Sequence, residues 1–295
     1  MNPHLRADLL LVATTLIAAA GWIFSKEALV GFSPLLFIAL RFSGAGLVLA
    51  FFCLKPLQNL NKVQLAAALK VGLLFGFAMV FWILGLKHAQ HLGVGAFLTS
   101  LGIVIVPLLN FALGGEKPSH FAFLSLPFVI AGLGVLSLDS EFYFGLGELS
   151  FLFSATFLAF MFVFNSRAAA GISALPLTAI QLLVAGLITG IASLVFEVWS
   201  FQHTPVIWGW FAASLLLATS LRFLLQTYAQ GLAPPSHTAI IMTLEPVWTA
   251  ILASFWFAEI MSSYQLIGCS LIFIAVLVNR APALRLWLKS KRYAN

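Results

Sequence analysis

Charged residues are scarce in this chain. Only 8% of its 295 residues are Asp, Glu, Lys or Arg, whereas 62% are apolar. Soluble domains carry about 25% charged residues, so the composition excludes a water-soluble domain of this length. Helices satisfy their backbone hydrogen bonds internally, as hydrocarbon demands. We therefore predict an all-α integral membrane protein with nearly the whole chain in the bilayer.

Cysteines and reactive motifs are also sparse. The two cysteines, Cys53 and Cys269, lie far apart inside apolar runs, which favours a packing role over a disulfide or a metal site. A glycine-rich phosphate loop ending in Lys-Ser/Thr is absent, which argues against an ATP-driven pump. No HExxH motif and no His/Asp cluster falls within the apolar runs. The sequence predicts no enzyme activity, no metal and no cofactor.

The net charge of +6 would indicate nucleic acid as a partner in a soluble protein. Here the basic residues collect in short loops and near the C-terminus, so we expect no nucleic-acid partner. The expected partners are the lipid bilayer and a small-molecule solute. The sequence leaves the oligomeric state open, and a monomer is possible.

Ten apolar runs are long enough to cross a bilayer, which takes roughly 20 residues per helix. The first resembles a signal peptide, but it continues through Phe24 and its repeat partner lies mid-chain, so we assign it as a span. Short connections predict an antiparallel bundle. The spans are approximately 8–25, 33–54, 64–86, 92–113, 119–138, 146–165, 176–198, 206–229, 236–258 and 262–279.

Lysine and arginine are distributed unevenly between the two sets of loops. With a cytoplasmic N-terminus, the outer loops hold only Lys26 and Lys87. The positive-inside rule then places both termini in the cytoplasm, for a multi-pass protein of the cell (inner) membrane. Residues 281–295 form a basic cytoplasmic tail against anionic lipid. The inner segments hold Arg6, Lys55, Lys62, Lys117, Arg167, Arg280, Arg285, Lys289, Lys291 and Arg292.

The sequence repeats itself at an offset of 140 residues. Gly21–Ala50 aligns without a gap on Met161–Gly190, and the register later slips by three, so that Leu101 meets Leu244. The halves are 1–140 and 141–280. Each contains five spans, an odd number, so the second half must be inverted in the membrane. Inverted repeats place a substrate site near the midplane and support alternating access.

Ionisable residues at bilayer depth are costly and usually functional. Arg41 lies near the middle of the second span and Glu245 near the middle of the ninth. Facing a cavity, Arg41 would attract a carboxylate or other anion, and Glu245 a cation, an amine or a proton. Alternatively, the two pair with each other or with backbone and only fix helix packing. Arg222 and Lys70 lie nearer the inner ends of their spans, where both could snorkel to the interface.

Two prolines mark candidate breaks in the spans. Pro246 follows Glu245 and predicts a kink that frees carbonyl oxygens, and Pro107 invites the same interpretation. Neighbouring helices can also heal such kinks. The two halves differ at the charged positions, because Arg41 aligns with Gln181 and Glu245 aligns with Gly102. Such divergence is expected if the halves hold one asymmetric ligand between them.

Several motifs together resemble the EamA-type transporters of the drug/metabolite transporter superfamily. The resemblance covers nearly the whole chain as two EamA-like halves. Glu259 follows Ala rather than the usual Gly. The motifs are Gly21-Trp22 with Lys26, Arg41-Phe42, Phe97–Leu101, Val106–Leu109 and Glu116–Ser119 in the first half, and Leu244–Val247 and Phe257–Glu259 in the second.

The resemblance implies a plasma-membrane secondary carrier, often an exporter of amino acids, other metabolites or toxic compounds. It also implies a cavity between the first four helices of each half, with the fifth and tenth at the periphery. The residues that it places at this cavity are Trp22, Arg41, Trp82, Thr99, Gln181, Arg222 and Glu245.

The leading hypothesis is an exporter of amino acids or related small metabolites. An uptake carrier for a metabolite or nucleotide-like anion is the alternative within transport, and would depend more on Arg41 than on Glu245. From other classes, a lipid-acting membrane enzyme and a non-transporting receptor or assembly factor stay open.

Overall fold

The computed structural model describes residues 3–88, 92–137, 145–199, 204–256 and 262–292, which are helical with short turns and contain no strand. The helices are α1 (Pro3–Ala28), α2 (Pro34–Phe51), α3 (Leu54–Gln58), α4 (Lys62–His88), α5 (Leu92–Ala112), α6 (His120–Ser137), α7 (Leu146–Ala169), α8 (Ala174–Phe196), α9 (Pro205–Leu215), a π-helical segment (Leu216–Leu221), α10 (Arg222–Gln230), α11 (Pro235–Met242), α12 (Leu244–Trp256) and α13 (Ser263–Arg292).

Seven helical stretches in the described ranges are long and apolar enough to cross a membrane. Two of them are composite: α9, the π segment and α10 form one continuous stretch, and α11 and α12 form another. Three shorter apolar helices accompany them, at Phe97–Ala112, His120–Val135 and Ser263–Asn279. Large apolar side chains are exposed along the outside of the bundle. This architecture is consistent with an integral membrane protein.

The C-terminal helix runs through the predicted last span and into the basic tail. Its apolar part, Ser263–Asn279, matches the predicted span 262–279, and α13 continues to Arg292. The added residues include Pro282, but most of the others are Ala, Leu, Lys and Arg, which favour helix. The Phe257–Glu259 motif lies outside the described residues.

The start of α2 shows how a carboxylate from the other half of the chain orders a helix end. Pro34 occupies the first turn, where its missing N–H costs nothing. The amides of Leu35 and Leu36 donate to Glu197 at 2.7 and 2.9 Å. A carboxylate is favourable at a helix N-terminus because it meets free amides and the positive end of the dipole. Glu197, just beyond α8, therefore ties α8 to α2.

The largest helix contacts join residues 1–140 to residues 141–280. α2 packs along α8, α4 along α7 and α8, α5 along α7, and α6 along α13. Small residues permit the close approach. A Cβ atom on Gly186 would lie 2.6 Å from the backbone nitrogen of Ser43, and one on Gly102 would lie 2.6 Å from the carbonyl oxygen of Ala155. The two halves are therefore in backbone contact.

We expect Gly102→Ala to destabilise the fold by about 1–3 kcal/mol, because the added methyl group would press on backbone that cannot move aside. The measurement is the thermal unfolding temperature of the purified protein in detergent. Gly209→Ala is the matched control, because a Cβ atom there meets no atom within 4 Å. Equal unfolding temperatures for the two variants would contradict the close α5–α7 contact.

Candidate substrate-binding site

A cluster of polar side chains lies between α1, α2, the π segment, α10 and α12. It contains four of the seven predicted cavity residues: Trp22, Arg41, Arg222 and Glu245, with Trp82 against its edge. Three hydroxyl residues complete it, namely Ser25, Ser214 and Thr219. Both halves of the chain contribute, because α1 and α2 come from the first and the other elements from the second.

The π segment shapes one wall of the cluster. Thr219 donates its hydroxyl to the carbonyl of Ser214 at 2.9 Å, and Ser220 donates to that of Leu215 at 3.0 Å. Both bonds span five residues, the period of a π-helix, which occurs mostly as single turns at functional sites. Opposite, a Cβ atom on Gly21 would lie 2.5 Å from Cβ of Ala218. α1 and the π segment can therefore approach this closely only because residue 21 is glycine.

Arg41 is held entirely by neutral acceptors. Its Nε donates to the hydroxyl of Thr219, one terminal nitrogen to Ser25 Oγ at 2.9 Å, and the other to the carbonyl of Ala218 at 3.3 Å. Its guanidinium carbon lies 5.7 Å from the Phe37 ring centroid. These contacts orient the guanidinium without neutralising its charge. Arg41 can therefore still attract an anionic group.

Glu245 pairs with Arg222 and not with Arg41. Arg222 Nη2 lies 3.1 Å from Glu245 Oε2, with the two side chains 16% and 23% exposed. The indole Nε1 of Trp22 donates to the other carboxylate oxygen at 3.2 Å. The Arg222 guanidinium stacks 4.3 Å from the Phe223 ring. The cluster thus holds two guanidinium groups and one carboxylate, and keeps an excess of positive charge.

The chain around Glu245 is interrupted. α11 ends at Met242 and α12 begins at Leu244, so Thr243 separates two helices of one stretch. The hydroxyl of Thr243 donates a hydrogen bond to the carbonyl oxygen of Ile240 at 2.6 Å. Pro246 lies in the first turn of α12, where a proline is tolerated. By contrast, α5 runs through Pro107 as a single helix.

Two tryptophans form an aromatic wall beside the charged groups. The rings of Trp22 on α1 and Trp82 on α4 meet edge to face, with centroids 6.0 Å apart. Trp22 is 47% exposed although it bonds to a half-buried carboxylate. Trp22 and Ser25 are three residues apart and share one face of α1. A single stripe of α1 therefore contacts both Glu245 and Arg41.

Two predicted residues have other surroundings. Gln181 is buried in α8, and its backbone lies against Gly72 of α4, with Oε1 lacking a partner among the described residues. Thr99 is half-buried on α5 and takes no part in the hydrogen bonds described above. Sequence reasoning missed Ser25, Ser214 and Thr219. The available signal was spacing: Ser25 follows Trp22 by three residues, and Thr219 precedes Arg222 by three.

One end of the bundle is closed below the cluster. We call it the Asp8 end, and the opposite end the Trp22 end, since α1 runs from one to the other. Asn165 donates to the amide oxygen of Gln230 and to Thr227 at 3.3 Å. Above these lies a buried apolar cluster from both halves: Leu11, Val106, Ala159, Phe162, Val163, Ala229, Ala239, Ile241, Met242 and Leu244. Along α1, α10 and α11 these buried residues lie between the charged cluster and the Asp8 end, and we refer to this packed layer as the closure of that end.

A second polar contact ties α1, α11 and α13 at the same end. His237 Nε2 lies 2.8 Å from Asp8 Oδ1, and the amide nitrogen of Asn279 lies 3.1 Å from His237 Nδ1. An amide nitrogen only donates and a carboxylate only accepts, so the imidazole carries its proton on Nε2 in this arrangement. The contact joins the first half to the second across the closed end.

Known proteins share this sequence pattern and this fold. A relative named as an uncharacterized transporter of Archaeoglobus fulgidus is 25% identical over 275 residues, which cover 93% of this chain and 86% of that protein. A protein of known crystal structure superposes with a TM-score of 0.80 over 95% of this chain and 98% of its own, at 20% identity, and so shares the fold.

The profile of the EamA-like transporter family matches residues 5–138 and again residues 145–281. The match covers nearly the whole chain and bears out the resemblance read from the motifs. With the long apolar helices, it establishes a multi-pass membrane protein. The chain belongs to the EamA-like transporter family of membrane transporters.

Proposed function

We propose that the protein is a secondary transporter, not an enzyme, that exports amino acids or related small metabolites by alternating access. The observation that carries the proposal is the charged cluster held between both halves of the chain. Arg41 offers a charge to a carboxylate, Glu245 offers an acceptor to an ammonium group, and the Trp22–Trp82 wall offers apolar contact. A small zwitterion with an apolar side chain matches these three features.

We propose two inverted halves, residues 1–140 and 141–280, with ten membrane passages. Helix packing supports the proposal. The second passage (α2) packs on the seventh (α8), and the fifth (α6) on the tenth (α13), so each pair maps onto itself when the halves exchange. Exchanging the halves turns the pair formed by the third and sixth passages (α4 and α7) into the pair formed by the eighth and first passages (α10 and α1). Both pairs are in contact. The two family matches, at 5–138 and 145–281, give further support.

We propose that both termini are cytoplasmic in the cell membrane and that this structure is the outward-facing state. The support is the excess of Lys and Arg in the loops at the Asp8 end, together with the closure there and the exposure of Trp22. Rocking of the halves would then break the contacts at the Asp8 end and open the cluster to the cytoplasm.

This orientation predicts which positions a membrane-impermeant thiol reagent reaches in intact cells. We expect Trp22→Cys to react from outside and Leu11→Cys, fully buried at the closed end, to stay unlabelled. The native Cys53 and Cys269 are buried and set a low background. Labelling of Leu11→Cys from outside, with Trp22→Cys protected, would contradict the assignment.

The first experiment on substrate is untargeted metabolite profiling of cells with and without the gene, inside and outside. We expect amino acids or related metabolites to accumulate outside only when the protein is present. Arg41→Ala serves as the control that retains the membrane protein but lacks the proposed carboxylate contact. Identical metabolite profiles in all three strains would contradict the proposal that the protein exports these metabolites.

A second candidate is uptake of a metabolite or nucleotide-like anion. The excess positive charge of the cluster favours it, because Arg41 has only neutral partners. It predicts that Glu245→Gln transports normally while Arg41→Ala does not. Export of a zwitterion requires both residues, so the pair of variants separates the two candidates.

A further inference from the structure

A groove on the outside of the bundle carries two cations that the transport cluster does not use. It lies between α4 and α7 near the Asp8 end and has a volume of about 290 Å³. It is lined by Ala67, Lys70, Phe164, Arg167 and Ala168. We call it the Lys70 groove.

The two cations of the groove share one aromatic ring. Lys70 Nζ lies 3.4 Å from the centroid of Phe164, and the guanidinium carbon of Arg167 lies 6.0 Å from the same centroid. Both side chains are exposed, and within the described ranges neither forms an ion pair with a carboxylate. Two positive charges therefore flank one apolar groove.

Arg167 keeps donors available although it already has a structural contact. Its bonds to described residues leave from Nη2 and reach the carbonyls of Asn110 and Leu113 and the side-chain oxygen of Asn110, at 3.1–3.3 Å. Nε and Nη1 remain to face a ligand. Because Arg167 belongs to α7 and those carbonyls end α5, a ligand here would sit where the two halves meet.

We propose that the Lys70 groove binds an anionic phospholipid, with the lipid phosphate between Lys70 and Arg167 and an acyl chain along the apolar floor. Charge complementarity supports this occupant, since long basic side chains at the membrane boundary attract anionic headgroups. The floor consists of the apolar side chains of Ala67, Phe164 and Ala168. It can pack against hydrocarbon but offers no side-chain hydrogen-bond donor to a free phosphate. The bound lipid holds α4 against α7 at the closed end.

The test is native mass spectrometry of the full chain, released from detergent after incubation with phosphatidylglycerol or phosphatidylcholine. We expect retained phosphatidylglycerol on the wild type and about fivefold less on Lys70→Ala, from the loss of one basic contact. Lys70→Arg should retain the lipid. Lys62→Ala, an exposed lysine on the same helix outside the groove, is the matched control and should behave as wild type.

Three results would overturn the proposal. Equal retention of the two lipids would show that headgroup charge is irrelevant. Equal retention by Lys70→Ala and Lys62→Ala would place the lipid elsewhere. Displacement of phosphatidylglycerol by millimolar inorganic phosphate would identify a free-anion site. Unfolding temperatures of all variants, measured alongside, keep a folding defect distinct from a lost lipid.

Discussion

Arg41→Ala is expected to weaken solute binding at least about tenfold and to abolish measurable transport. Arg41 is the charged group of the cluster whose partners are all neutral, so its charge is the one available to a substrate carboxylate. A hydrogen bond to a charged group contributes about 1.5–3 kcal/mol, which corresponds to a tenfold to hundredfold change in affinity. Binding of solute to the purified protein measures the affinity, and release of solute from vesicles measures transport.

Two further variants sharpen this prediction. Arg41→Lys keeps the charge but loses the forked donors, so we expect intermediate affinity. Lys55→Ala removes an exposed cation on α3 and should leave transport unchanged. If Arg41→Ala transported with wild-type affinity, the guanidinium would be a packing element, and the substrate would bind elsewhere.

Glu245→Gln is expected to cost about 3 kcal/mol of stability, as well as transport. The Arg222–Glu245 pair is mostly shielded, and removing one partner leaves the other charge buried without compensation. Arg222→Gln should destabilise the protein by a similar amount. The double variant should recover much of the loss, because it removes both members of the pair and leaves neither Arg222 nor Glu245 as an unpaired charge. Thermal unfolding in detergent measures all three.

Transport by the same variants separates stability from function. If Glu245 binds the substrate ammonium group, the double variant regains stability without regaining transport. Recovery of both would assign the pair to helix packing alone. Additive destabilisation, with the double variant the least stable, would contradict the ion pair itself.

The architecture was predictable to a large degree because hydropathy acts over whole helices. Runs of roughly 20 apolar residues predicted the long helices, and Gly114 with Pro118 predicted the turn after α5. There Gly114 adopts a φ of 77°, in the left-handed region that favours glycine. Hydropathy predicts where a helix leaves the membrane but not where it ends, so the end of α13 at Arg292 lay beyond its reach.

Sequence reasoning selected the charged residues of the cluster and its two tryptophans, but not its hydroxyl residues. Arg41, Arg222 and Glu245 stand out in an apolar chain, but their partners depend on how helices rotate against one another. Arg222 lies 23 residues from Glu245, and Thr219 reaches Arg41 only because the π segment turns it there. No periodicity of 3.6 residues predicts a π turn, so spacing could place Thr219 near Arg222 but could not predict its contacts with Ser214 and Arg41.

The broken repeat has a physical explanation at both positions. Gly102, the counterpart of Glu245, lies against the backbone of Ala155, where no side chain fits. Gln181, the counterpart of Arg41, is buried between α8 and α4. The counterparts of the two charged residues therefore pack helices together. Arg41 and Glu245, by contrast, both contact one face of α1, through Ser25 and Trp22. We infer that a single asymmetric site lies between the halves.

The most direct test of the central claim is efflux from proteoliposomes loaded with a defined mixture of amino acids and monocarboxylates, followed by mass spectrometry of the external medium. We expect wild-type protein to release one or more zwitterionic amino acids faster than protein-free liposomes do, and folded Arg41→Ala not to do so. Release by Arg41→Ala at the wild-type rate, or no release of any solute by the wild type, would contradict this claim.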